Sequence, residues 1–253
     1  MPGLATDADR RPTAGAVGRS SSFTLRLIAS RPELAFIAPF MVYLLLLGVG
    51  ARLPDTWQPA AIAVRGVASL AAVWAIRRHL PSWGRPHWWI VLAGGALVGW
   101  GWVVGQHAFD QLGLPSHLPL YPGGAKALVD PRDALGAGTL FWTTWGLRLS
   151  VACTAVPVVE ELFWRAYLLR ALIDWHHFDR VPLGRFTWAS FFGTALLSTL
   201  QHPDNWGVSV LCWLVYNVVF YWTRSILCLV LLHGMTNLVL YLLVLRVGDW
   251  SFW

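Results

Sequence analysis

Glu160 and Glu161 stand side by side in the apolar stretch PVVEELFWRAYLLR, residues 157–170, with Arg165 close behind. An ionised group in such a run is costly unless it is paired or put to use. Helical spacing gives the three charges different jobs. Glu161 and Arg165 are i and i+4, with the glutamate N-terminal, which is the favoured order for an ion pair. Glu160 lies about 100° around the helix, where its own neighbours one turn on are Phe163 and Trp164. It has no local countercharge. A dry setting makes a carboxylate more basic than it is in water, which suits it to general-base work near neutral pH. The competing reading is that both glutamates only lock helices together.

Other polar groups sit in later apolar runs. His233 and Asn237 are i and i+4 and can aim two donors at one point, as a developing oxyanion requires. A polar seam between helices would use the same spacing. His202 precedes Pro203-Asp204-Asn205 at the end of an apolar segment, where a histidine can equally be an interfacial residue. Asn217 reads best as an interhelical hydrogen bond. The histidines at 79, 87, 107, 117, 176 and 177 fall in loops or at segment edges and receive no role.

The elements that must position these groups are transmembrane helices. Hydrophobic residues make up 56% of the 253, charged residues 13%, and mean hydropathy is +0.53, too little polar surface for a water-soluble domain. The expected fold is all-α, a polytopic bundle of seven or eight helices. Apolar runs place spans at 34–51, 60–76, 88–109, 149–172, 186–202, 206–222 and 226–247. The segment 139–148 is expected at the interface, and Pro157 is expected to kink the fourth span. An eighth span arises if 139–148 crosses by itself or Pro157 divides the fourth. Residues 1–30 are polar and read as a flexible cytoplasmic tail; 31–253 read as one membrane domain with its chemistry in 145–247. Gly95, Gly99, Gly101 and Gly105 have the spacing that lets helices approach closely.

With this layout twelve Lys and Arg residues fall on one side of the membrane and four on the other, which puts the N-terminus in the cytoplasm. The formal charge of +6 is scattered between spans and forms no stripe, so it suits anionic lipid and argues against nucleic acid. Seventeen tryptophans suit interfacial belts. Cys153, Cys212 and Cys228 lie in apolar runs without a CxxC and read as buried hydrophobes. Axial rise sets Glu160 roughly 18 Å into its span, His202 about 24 Å, His233 about 11 Å and Asn237 about 17 Å, all within the middle of a ~30 Å core.

The ordered set EELFWR at 160–165, a histidine at 202 and HGMTN at 233–237 resembles the CPBP family, which holds CAAX prenyl endopeptidases and bacteriocin-processing or immunity proteins. The closing part, with LVYN, LVLLHGMTNL and terminal WSFW, most resembles the bacterial CAAX prenyl protease-related branch that accompanies exosortase sorting systems. The resemblance implies an intramembrane endopeptidase of a bacterial inner membrane. Glu160, helped by His202, would activate water; His233 and Asn237 would stabilise the oxyanion; Glu161 and Arg165 would be a supporting pair. The substrate would be a membrane-associated, lipid-modified or sorted peptide, with an exosortase system as partner and no cofactor or metal. Ser198 departs from the family, which usually has an aromatic four residues before the histidine. Two alternatives stand beside this reading, with a transporter the weakest choice for want of internal repeats. One is a zinc site on Glu160, His202 and His233, although nothing resembles HExxH. The other is a non-catalytic scaffold or immunity-type protein that keeps the polar cluster for packing.

Overall fold

The computed structural model describes residues 31–119, 121 and 129–253; the tail expected at 1–30 lies outside the described residues. The described chain is helical, and the elements fall close to the expected spans. Helix α1 is Leu34–Gly50 and α2 is Gln58–Ile76, with Gln58 capping α1 by donating to the Gly50 carbonyl at 3.0 Å. Helix α3 runs Ile90–Gln111, its first turn π-helical, and a short α4, Pro131–Leu135, follows in the Pro- and Gly-rich connection. Then come α5, Thr139–Cys153, and α6, Ala155–Glu161. The same rod passes through a π-helical stretch, Leu162–Leu168, to a last turn, Leu169–Ala171. Helix α7 is Trp188–Leu197, α8 is Trp206–Thr223 and α9 is Ile226–Val247.

Four of these segments among the described residues are long and apolar enough to cross a membrane: Asp55–His79, Ile90–Gln111, Pro203–Thr223 and Ile226–Val247. Leu34–Gly50 and Trp188–Leu200 are shorter apolar helices. Large apolar side chains such as Leu45, Val67, Trp74, Leu97, Leu211 and Val218 are exposed on the outer faces, as they must be where the solvent is lipid. The protein is a multi-pass membrane protein.

Helix α9 is the hub. It packs against α3, α5, α6 and α8. Small residues make the approach possible: a Cβ on Gly95 would lie 2.6 Å from Met235 and one on Gly99 2.6 Å from the Thr236 carbonyl, while Gly105 sits against Val208 of α8. Gly101, the fourth of the spaced glycines, meets nothing and is not a packing glycine. Asn217 makes the interhelical bond expected of it, donating to the Phe191 carbonyl and Thr194 Oγ1 of α7. Arg224 turns α8 into α9 at φ 50°, and Ser225 caps α9 by accepting from the Cys228 amide.

The fourth expected span needs correcting at its start, while the kink expected from Pro157 is present. Its helix begins at Thr139, so 139–148 is the start of α5 and not a separate interfacial piece. The chain breaks at Thr154 (φ −123°, ψ −75°), three residues ahead of Pro157. The reason is that proline acts upstream: it has no N–H for the Cys153 carbonyl and its ring displaces that carbonyl. Two α9 residues receive the carbonyls the break leaves over. Asn237 Nδ2 donates to the Ala152 carbonyl at 2.7 Å, and the Cys153 carbonyl lies against Gly234, where a Cβ would be 2.6 Å away.

Candidate active site

The break aims α6 so that Glu160 and Glu161 enter the bundle on adjacent faces. Glu161 is fully buried and holds two partners: Arg165 at 3.1 Å, the i+4 pair read from the sequence, and His233 Nδ1 at 2.9 Å from α9. Arg165, also fully buried, lies over the Trp213 ring at 3.7 Å and near Tyr216 at 5.5 Å, with Nε and Nη2 making no hydrogen bond. The aromatic faces of α8 therefore supply what one carboxylate cannot, since cation–π attraction strengthens when desolvated.

Glu160 is 4% exposed and takes a different neighbour. Its Oε1 accepts from Gln201 Nε2 at 3.1 Å, and Gln201 Oε1 in turn accepts from the Trp164 indole. Its Oε2 is buried without a hydrogen-bond partner. A carboxylate oxygen in that condition is primed to take a proton or hold a water. The onset of the π-helical stretch directly after Glu161 fits a common pattern, since π-turns inside helices recur at functional sites.

Glu160, His202, His233 and Asn237 all line one cavity of about 900 Å³, walled also by Trp102, Trp164, Trp213 and Tyr216. The His202 ring stands edge-on to Trp102, centroids 5.3 Å apart. His233 packs beside Tyr216 at 5.3 Å. Residues from α6, the α7–α8 connection and α9 thus meet at one place, although up to 77 positions separate them in the chain. Two of the four carry more than the spacing implied. With Nδ1 bound to Glu161, His233 presents Nε2 as its remaining ring nitrogen. Asn237 commits one amide hydrogen to the helix break and keeps the other.

Among the described residues no group of three His, Cys, Asp or Glu side chains is disposed to hold a metal ion. Ser198, the position that departs from the aromatic pattern, is fully buried and bonds to the Ala195 carbonyl and to Ser209 of α8. Gln201 was not singled out from the sequence, although an amide beside His202 at the end of an apolar run was a usable signal. Arg148 and Tyr241 also line the cavity, and Tyr241 continues the 233–237 spacing by one more turn.

Residues 142–239 match the family model type II CAAX prenyl endopeptidase Rce1-like. The matched segment runs from α5 to the middle of α9 and contains Glu160, Glu161, Arg165, His202, His233 and Asn237. No curated protein and no solved structure is matched by the chain. The Rce1-like family is usually one of proteases; the matched segment holds the polar residues of the cavity named above from Glu160 onward, while Tyr43, Arg65 and Trp102 of its wall lie upstream of it.

Proposed function

We propose that this protein is an intramembrane endopeptidase that hydrolyses a peptide bond of a membrane-associated, lipid-modified or sorted substrate. Glu160 takes a proton from water as the oxygen attacks the scissile carbonyl, and later gives it to the departing amine as the C–N bond breaks. His202 shares in orienting the water. His233, through Nε2 with Nδ1 held by Glu161, and the free amide hydrogen of Asn237 donate to the oxyanion. Glu161 and Arg165 hold His233 in position. The protein would sit in a bacterial inner membrane with its N-terminus in the cytoplasm, and an exosortase system is the sorting partner the closing motif points to.

One observation carries this reading above the rest: Glu160 Oε2 is buried, unbonded and on the wall of a cavity that His202, His233 and Asn237 share. Glu161 differs in being neutralised: its Oε1 accepts from Arg165 and from His233, and its Oε2, although without a hydrogen bond, lies 3.1 Å from Arg165 Nη1, whereas Glu160 has no cation in ion-pair contact among the described residues. The scaffold reading draws instead on the bond from Asn237 to the helix break. Substrate trapping separates the two. Full-length Glu160→Gln protein should retain a membrane peptide that the parent releases as two fragments, with one solvent ¹⁸O in the new carboxylate by mass spectrometry. Equal fragment yield from Glu160→Gln would remove the proposal.

A further inference from the structure

Two cations in the cavity wall, Arg65 and Arg148, stand outside the proposed peptidase machinery. Arg65 on α2 makes no side-chain hydrogen bond, its Nε is buried without a partner, and its guanidinium lies over the Tyr43 ring at 5.1 Å. Arg148 on α5 donates from Nε to the Tyr241 hydroxyl at 3.1 Å and lies over Trp253 at 4.3 Å. Neither has a carboxylate within ion-pair distance among the described residues, although both line the cavity that holds Glu160. The packing of α2 on α5 sets the two arginines on neighbouring helices. Gly66 meets Val151 so closely that a Cβ would come within 2.6 Å, and these residues are one position and one turn from Arg65 and Arg148. Tyr43 lies within electrostatic reach of Arg65, Arg148 and Glu160 alike. An uncompensated guanidinium within a membrane bundle marks a ligand or ion path by default.

One face of α9 gives the distance. His233, Asn237 and Tyr241 follow at four-residue intervals and contact Glu161, the Ala152 carbonyl and Arg148 in turn. From His233 to Tyr241 the axial rise is about 12 Å. An extended peptide covers that in three to four residues at roughly 3.4 Å each. We propose that Arg65 and Arg148 form an anion subsite that binds the free C-terminal carboxylate of the peptide substrate, three to four residues beyond the bond presented to Glu160. Guanidinium groups suit the task because they bind carboxylate through paired donors. The inference rests on the peptidase reading for the position of the scissile bond, and on the unpaired arginines for the rest.

The test uses full-length Glu160→Gln protein in phosphatidylcholine nanodiscs. The probe is a fluorescent S-prenylated peptide with three residues after the modified cysteine, made with a free carboxylate and as the carboxamide. The acid should bind about tenfold tighter or more, the range of a charge-assisted hydrogen bond. Adding Arg148→Gln or Arg65→Gln should bring the two peptides within about twofold of each other, and Arg148→Lys should restore part of the preference. No preference in the starting protein, no binding of either peptide, or a preference that survives both Gln variants overturns the subsite. Loss of the preference in phosphatidylglycerol nanodiscs, with that lipid retained through purification only when both arginines are present, makes it a headgroup site and also overturns the assignment. Hydrolysis by protein with Glu160 intact is measured in parallel. Binding preference without product sinks the peptidase and leaves the subsite, and product without preference does the reverse.

Discussion

Adjacent glutamates with opposite responses to one substitution make the strongest test of the geometry. Glu161→Gln removes the countercharge of fully buried Arg165 and the acceptor for His233 Nδ1. Breaking a buried ion pair from one side costs about 3–5 kcal/mol, and the Trp213 face under Arg165 returns up to about 2 kcal/mol, leaving a net loss near 2 kcal/mol. For a chain of this length that lowers the melting temperature by on the order of 5 °C. Glu160→Gln keeps an acceptor for Gln201 and removes a carboxylate oxygen that had no partner, so stability should stay within about 1 kcal/mol of the parent. Hydrolysis should nevertheless vanish. The assay is intrinsic tryptophan fluorescence on heating in detergent, beside peptide hydrolysis. If Glu160→Gln melts as early as Glu161→Gln, the division of labour between the two carboxylates is wrong.

Gln201→Leu leaves the Glu160 Oε1 and the Trp164 indole unpaired, and kcat should fall about tenfold or more with KM little changed; an unaltered kcat would mean that Gln201 does not orient the base. Gly234→Ala sets a methyl 2.6 Å from the Cys153 carbonyl, and size-exclusion profiles and melting should show a loss of about 1–3 kcal/mol; a parent-like melt would put α9 further from the break. Asn237→Leu uncovers the Ala152 carbonyl, costing about 1–3 kcal/mol, and should lower kcat by about 10²-fold or more, the larger effect identifying an oxyanion donor and stability loss alone a structural residue.

What the sequence determined by itself is what local periodicity and solvent dictate. Apolar runs of membrane length located α9 to the residue and α1, α2, α3, α7 and α8 within a few positions of their ends, because lipid demands that each segment satisfy its backbone internally, but missed the first ten residues of α5. The i,i+4 pairing of Glu161 with Arg165 was equally local and legible. The motif set EELFWR, His202 and HGMTN was also legible as a resemblance, and its Glu160, His202, His233 and Asn237 line one cavity. Only the tertiary structure decided which partner each polar group takes. Glu161 bonds a histidine 72 residues away, Asn237 serves a helix break that proline imposes upstream of itself, Gln201 ties Glu160 to Trp164, and Arg65 and Arg148 share the cavity without countercharge. Those choices depend on how helices pack side by side. A one-dimensional pattern fixes which face of a helix is polar, whereas the identity of the facing helix is set by close approach at small residues such as Gly66, Gly95, Gly99 and Gly234.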